Sequence, residues 1–163
     1  MEAGHHTFLF ADLVGFTAFT ERVGDDAAAD VAMAFKSAAA HAASELGCEV
    51  VKDLGDAVMI HGRDAARVVT LALRLAREMR EEGWCPAIRM GIHSGSAVQR
   101  GADWYGQTVN IASRLAESAG SGEILMSVTT RDRLQRRTGV TIADRGARQF
   151  KHVAGALAVF AAA

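Results

Sequence analysis

Proline is almost missing from this chain, with Pro86 the only one in 163 residues. It stands just before the fourth expected strand, where it can open an element without breaking one. Cysteine is nearly as scarce, with Cys48 and Cys85 alone. Two thiols cannot build a dense disulfide framework and no metal or redox spacing links them, so they read as buried thiols in a reducing compartment. Aromatic residues make up 6% of the chain and sit mostly inside apolar runs. That argues against an RNA-binding sheet, which displays its aromatics. The formal net charge is −1, so there is no basic field to draw nucleic acid. No apolar run approaches the roughly 18 residues that span a bilayer. Met1 to Thr7 lack the basic and apolar regions of a signal peptide. The expectation is a cytoplasmic domain with no membrane segment. The first expected strand begins a few residues after Met1, which leaves no room for a sensor domain within this chain, whether it stands alone or is a catalytic piece of a longer protein. Neither G-x-S-x-G nor G-x-x-x-x-G-K-[ST] occurs, which excludes a nucleophile elbow and a P-loop.

What the chain has is an alternation of short apolar runs and long amphipathic ones. Thr7 to Ala11 reads as a buried strand. Asp25 and Asp26 can cap a helix from Ala27 to Leu46, whose Val31, Phe35, Ala38, Ala42 and Leu46 recur at helical spacing, with Gly47 as its stop. Cys48 to Lys52 and Ala57 to His61 are strand-like, and the Asp53 to Asp56 segment between them contains Gly55, a hairpin signal. A second helix fits Asp64 to Glu82, with a buried stripe of Val68, Leu71, Leu75 and Met79. Ala87 to His93 and Gly95 to Gln99 look like a further strand pair. Gln107 to Ser118 is a third helix, Glu123 to Ser127 a strand, and Val128 to Arg137 a short basic helix. Val140 to Ala143, Ala147 to Lys151 and Ala156 to Phe160 close the order as strands. The pattern predicts one α+β domain over residues 1–163, core about 7–160. Its expected fold is a ferredoxin-like or palm-like βαββαβ sheet with helices on one face. His5 and His6, adjacent near the start, are given no role.

Three segments carry candidate chemistry. In Phe10-Ala11-Asp12-Leu13-Val14-Gly15-Phe16-Thr17 a carboxylate ends a buried strand. A turn and a possible helix start follow, whose backbone N–H groups can cradle phosphate. In Lys52-Asp53-Leu54-Gly55-Asp56, Asp56 lies beside a hairpin turn. If the two strands are neighbours, Asp12 and Asp56 end close together, and two close carboxylates call for a cation. Hard Mg²⁺ suits them, because it takes oxygen ligands and substrate phosphates. In Asp103-Trp104-Tyr105-Gly106-Gln107-Thr108-Val109-Asn110-Ile111-Ala112-Ser113-Arg114, Asn110 and Arg114 lie one helical turn apart on one face. Arginine's permanently charged fork suits phosphate oxygens. Taken singly, each segment is also ordinary chemistry: a capping aspartate, a turn, and a solvated polar helix face.

Together, FADLVGFT from Phe10, KDLGDAVM from Lys52, RMGIHSG from Arg89 and DWYGQTVNIASR from Asp103 resemble the class III adenylyl/guanylyl cyclase catalytic domain. They stand in that family's order and spacing, and the resemblance covers about Thr7 to Phe160. It implies that Asp12 and Asp56, with the Leu13 carbonyl, bind two divalent metal ions, Mg²⁺ or Mn²⁺. It implies that Lys52 and Asp103 read the purine. A lysine donating to N1 and a carboxylate accepting from N6 match adenine and mismatch guanine, so the implied substrate is ATP and the implied enzyme an adenylate cyclase. Asn110 matches the residue that orients the ribose, and Arg114 the one that stabilises the transition state. Gly15, Phe16 and Thr17, at the possible helix start after Asp12, are the expected phosphate cradle on their backbone N–H groups. Arg89 and Lys151 match cationic contacts to the terminal phosphates, although FKHVAGA around Lys151 departs from the glycine and proline often found there. The family shares its sites between two catalytic domains. One chain carrying both halves therefore implies a two-fold homodimer with two sites.

Overall fold

A computed structural model describes residues 4–83, 85–134 and 139–163. Strand β1 (His6–Leu13) lies inside the main sheet, between two antiparallel neighbours. It is followed by α1 (Phe16–Val23), α2 (Asp25–Leu46), β2 (Glu49–Asp53), β3 (Ala57–Gly62), α3 (Ala65–Glu81) and β4 (Ile88–Gly95). Then come β5 (Val98–Arg100), β6 (Asp103–Tyr105), α4 (Gln107–Ser118), β7 (Ile124–Ser127), α5 (Val128–Asp132), β8 (Ile142–Gln149) and β9 (Ala156–Ala162). A seven-stranded sheet is ordered β2-β3-β1-β4-β7-β9-β8, and β5 and β6 form a separate two-stranded ribbon. Among the described strands β4 and β7 are the parallel pair, joined across α4, and the other ladders are antiparallel. No described helix is long and apolar enough to cross a membrane.

The expected βαββαβ opening is present. β1 is apolar on both sides because both faces of the sheet are covered here. Leu9, Ala11 and Leu13 face a large core shared with α2 and α3. Phe8 faces the other way, into a cluster with Met59, Trp104, Val109 and Ala112. Helix α3 starts where Asp64 accepts from the Ala66 N–H at 2.9 Å. Its stripe of Val68, Leu71, Leu75 and Met79 is buried as the 3.6-residue period predicts. Each such side chain contributes about 1.5–3 kcal/mol by leaving water. Helix α2 buries Val31, Phe35 and Ala42 and stops at Gly47, whose φ of 68° is the left-handed conformation that glycine adopts freely.

The structure revises four local expectations. The helices are divided: α2 and α3 cover one face, while α4 lies on the other, against β4 and β1. Gly91 makes this possible, since a Cβ there would stand 2.2 Å from the Ala116 backbone nitrogen and 2.5 Å from the Ala112 carbonyl oxygen. Gly95 to Gln99 is not a strand beside Ala87 to His93: β4 continues through Gly95, and Val98–Arg100 pairs instead with β6. The two closing strands expected at Val140 to Ala143 and Ala147 to Lys151 are one strand, β8. A bulge at Arg145-Gly146 interrupts it, with Gly146 at φ 78° and its N–H donating to Asp144 at 2.7 Å. Helix α5 spans Val128–Asp132, and its expected continuation to Arg137 lies partly outside the described residues.

Candidate functional site

At one end of the central strands the antiparallel register sets Asp12 opposite Ala57 on β3 and opposite Arg89 on β4. The Leu13 N–H donates to the Asp56 backbone carbonyl at 3.0 Å, so the backbones of Leu13 and Asp56 are joined at the sheet end beside Asp12. Arg89 is tied to this group. Its Nε and Nη2 both donate to Asp12 Oδ2, at 3.0 and 2.9 Å, and its Nη1 donates to the Glu117 carbonyl at 3.1 Å. The expected phosphate contact is thus the counter-ion of the expected metal ligand. Gly15 then turns the chain with φ 64°, and α1 begins at Phe16. No side chain caps this helix start. The first-turn N–H groups around Phe16 and Thr17 therefore keep their donors for an incoming anion.

The second group is built on β2 and the ribbon. Lys52 Nζ donates to Asp103 Oδ2 at 2.9 Å, across 51 positions of sequence. Asp103 Oδ1 accepts from the Trp104 N–H at 2.8 Å. The Lys52 ammonium first, and then the Trp104 N–H, hold the Asp103 carboxyl below its usual range. Trp104 is buried, and its ring stacks on His61 with centroids 4.3 Å apart and meets His6 at 4.5 Å. His6 Nδ1 and His61 Nε2 are joined by a buried 2.8 Å hydrogen bond. Burial first, and then the neighbouring His6 and Arg63, lower the pKa of His61 to about 4. A histidine pair under the ribbon was not expected from the sequence. The alternation of β1 and β3 could have placed both rings on one face, but their partnership depends on register.

The third group is on α4. Ile111, Ala112, Leu115 and Ala116 are buried, which turns Asn110 to solvent and leaves Arg114 half-buried one turn on. Arg114 Nη1 is paired with Glu117 Oε2 at 3.0 Å. Glu117 therefore touches Arg114 through its carboxylate and Arg89 through its carbonyl, a link that helical spacing alone half-suggests. Lys151 is exposed in the turn between β8 and β9, where His152 takes φ 65°. It joins no ion pair among the described residues. No described cluster of three or more His, Cys, Asp or Glu side chains could hold a metal ion. Asp12, Leu13 and Asp56, neighbours in the backbone at the sheet end, offer two carboxylates and a backbone carbonyl. That set suits Mg²⁺ or Mn²⁺ when substrate supplies further oxygens.

Residues 2–160 match the sequence model of the "Adenylate and Guanylate cyclase catalytic domain" family. An adenylate cyclase of Streptomyces griseus is 38% identical over 117 residues, which cover 72% of this chain and 29% of that protein. An adenylate cyclase of Streptomyces coelicolor is 35% identical over 127 residues, covering 78% of this chain and 33% of that protein. The chain thus spans about a third of the length of these relatives or less. Among solved structures, the adenylyl cyclase CyaB from P. aeruginosa superposes with a TM-score of 0.87 at 25% identity, covering 98% of this chain and 93% of the other.

Proposed function

Because the chain belongs to the adenylate and guanylate cyclase catalytic domain family, we propose that it converts ATP to 3′,5′-cyclic AMP and pyrophosphate in sites shared across a homodimer. The observation that carries the choice of ATP is the 2.9 Å contact between Lys52 Nζ and Asp103 Oδ2. It brings one donor and one acceptor side by side, the pair that an adenine edge can engage, whereas guanine would present a carbonyl and an N–H to the wrong partners.

In this reading the ribose 3′-oxygen forms a bond to the α-phosphorus as the bond from that phosphorus to the β-phosphate oxygen breaks. Pyrophosphate departs and the hydroxyl proton passes to solvent. Asp12, Asp56 and the Leu13 carbonyl would hold two divalent ions. When bound, such ions supply charge neutralisation for the attacking and leaving oxygens. The chain's own groups do the rest by position and charge, so no nucleophilic side chain is needed. Lys52 and Asp103 hold the base. Asn110 orients the ribose. Arg114 offsets charge on the α-phosphoryl oxygens, which requires it to leave Glu117. The α1 start at Gly15, Phe16 and Thr17 cradles phosphate, and Arg89 and Lys151 meet the terminal phosphates.

The shared site has a direct test. Asp12→Ala and Arg114→Ala chains, each inactive alone, are expected to regain activity when mixed, because a mixed dimer has one site free of both lesions. Absence of recovery after confirmed subunit exchange would overturn the shared arrangement. Cyclic AMP from ATP and no cyclic product from GTP is the expected substrate result.

A further inference from the structure

Asp103 belongs to a ribbon that, among the described residues, shares no ladder with the main sheet. A base-reading carboxylate on such an appendage needs something to hold its backbone in place. Alternation along β6 sends Asp103 and Tyr105 to one side and Trp104 to the other. Trp104 is 7% exposed while Tyr105 is 55% exposed. The indole is therefore the ribbon's anchor in the sheet. It stacks on His61 at 4.3 Å with 22° between the rings, touches His6 at 4.5 Å, and meets Phe8 edge-on at 5.7 Å. His6 and His61 fix one another through their 2.8 Å hydrogen bond. The buried Trp104 Nε1 has no hydrogen-bond partner among the described residues. Ring stacking, and not a polar contact, thus sets where this side chain rests. The same residue's backbone N–H holds Asp103 Oδ1, so a shift of Trp104 is a shift of the carboxylate.

We propose that Trp104, seated on the His6–His61 pair, is the positioning residue that fixes Asp103 opposite Lys52 and so sets the nucleobase selectivity of the site. The inference rests on the reading of Lys52 and Asp103 as the base-recognition pair. Hydrogen-bonded recognition discriminates only while both partners hold their geometry, and misplacement by about 1 Å can cost about a hundredfold. Lys52 and Asp103 are 42% and 29% exposed at the side chain. Their own surroundings constrain them little, which leaves the anchored backbone to do it.

The test measures kcat and KM for ATP and GTP in the full chain carrying Trp104→Leu, Trp104→Phe or His61→Leu. Dissociation constants are measured in parallel for the α,β-methylene analogues, whose bridging carbon cannot be expelled. Trp104→Leu and His61→Leu are expected to lower the ATP-over-GTP preference about tenfold through KM and binding, with kcat for ATP changed less than about threefold. Trp104→Phe, which restores an aromatic face, is expected to recover most of the preference. Equal losses for both nucleotides, or an unchanged preference in folded protein, would overturn the proposal. If Trp104→Leu fails to fold, His61→Leu carries the same test with the indole in place. Lys52→Ala separates the two layers. If it leaves the preference intact, the base-reading assignment itself fails. If it abolishes the preference while Trp104→Leu and His61→Leu do not, the positioning role alone fails.

Discussion

Replacing Gly91 with alanine should separate the seating of α4 from the rest of the fold. Gly91 lies between the buried residues Met90 and Ile92 in β4. An added Cβ would meet Ala116 N at 2.2 Å, Ala112 O at 2.5 Å and Leu115 C at 2.7 Å. All three obstacles are helix backbone, so no rotamer change can relieve them. Restoring ordinary contact requires α4 to lift by about 1 Å. Overpacking of this kind costs typically 1–3 kcal/mol. The backbone obstacles place Gly91→Ala near the upper end, about 3 kcal/mol, offset by about 0.4–1 kcal/mol from the stiffer unfolded chain. A net loss of about 2 kcal/mol is expected in urea unfolding. Asn110 and Arg114 ride on α4, so a shift of about 1 Å should also cut turnover of ATP on the order of a hundredfold. Gly95→Ala is the comparison, because there the nearest obstacle is the Thr108 hydroxyl at 2.6 Å, the end of a side chain. It should lose less of both. A Gly91→Ala protein within 0.5 kcal/mol of wild type and equally active would refute the reasoning, since the helix could then not be seated on that glycine.

Acid should weaken the fold through its buried histidines. His61 and His93 are buried, with pKa values brought from 6.5 to about 4 by desolvation, and at His61 also by His6 and Arg63. The folded state disfavours their charged forms, so the stability they contribute is complete above pH 6.5 and is lost as pH falls towards 4. That amounts to about 2 kcal/mol each between pH 7 and pH 5. Urea midpoints at the two pH values check it, and a flat profile would contradict the burial argument. Arg89→Gln removes the cation that two N–H groups hold on Asp12. It should tighten nucleotide-free Mn²⁺ binding several-fold by electron paramagnetic resonance while slowing turnover of ATP. Unchanged Mn²⁺ binding would show that Arg89 does not compete for that carboxylate.

The strands and helices that were legible in the sequence are those whose packing follows local periodicity. The α3 stripe and the Gly47 stop of α2 are set by residues a few positions apart, and they fold as the spacing predicts. Asp12, Leu13 and Asp56 were legible because a turn residue and a strand end mark each of them. The ribbon was not, since three-residue strands carry too little alternation to read and their partner is chosen by Trp104 docking from across the sheet. Nor was the placement of α4 on the opposite face. It depends on a missing Cβ at Gly91, which in sequence looks like any other glycine in a strand. The Arg89–Asp12 pair, 77 positions apart, is a product of register alone.

The position of β9 has a consequence for how the domain is made. The last strand of the sheet in chain order is not at an edge: it lies between β7 and β8, and its Ala161 and Ala162 pair with both neighbours. As the chain emerges from the ribosome, β1 to β4 can assemble in order of synthesis. β7 must then wait with an open flank, and β8 has no sheet partner until residues 156–162 arrive to fill the gap. Completion of this sheet therefore waits for residues 156–162, and a nascent chain stalled before Ala156 would present an unpaired apolar strand to any chaperone or neighbouring chain at hand.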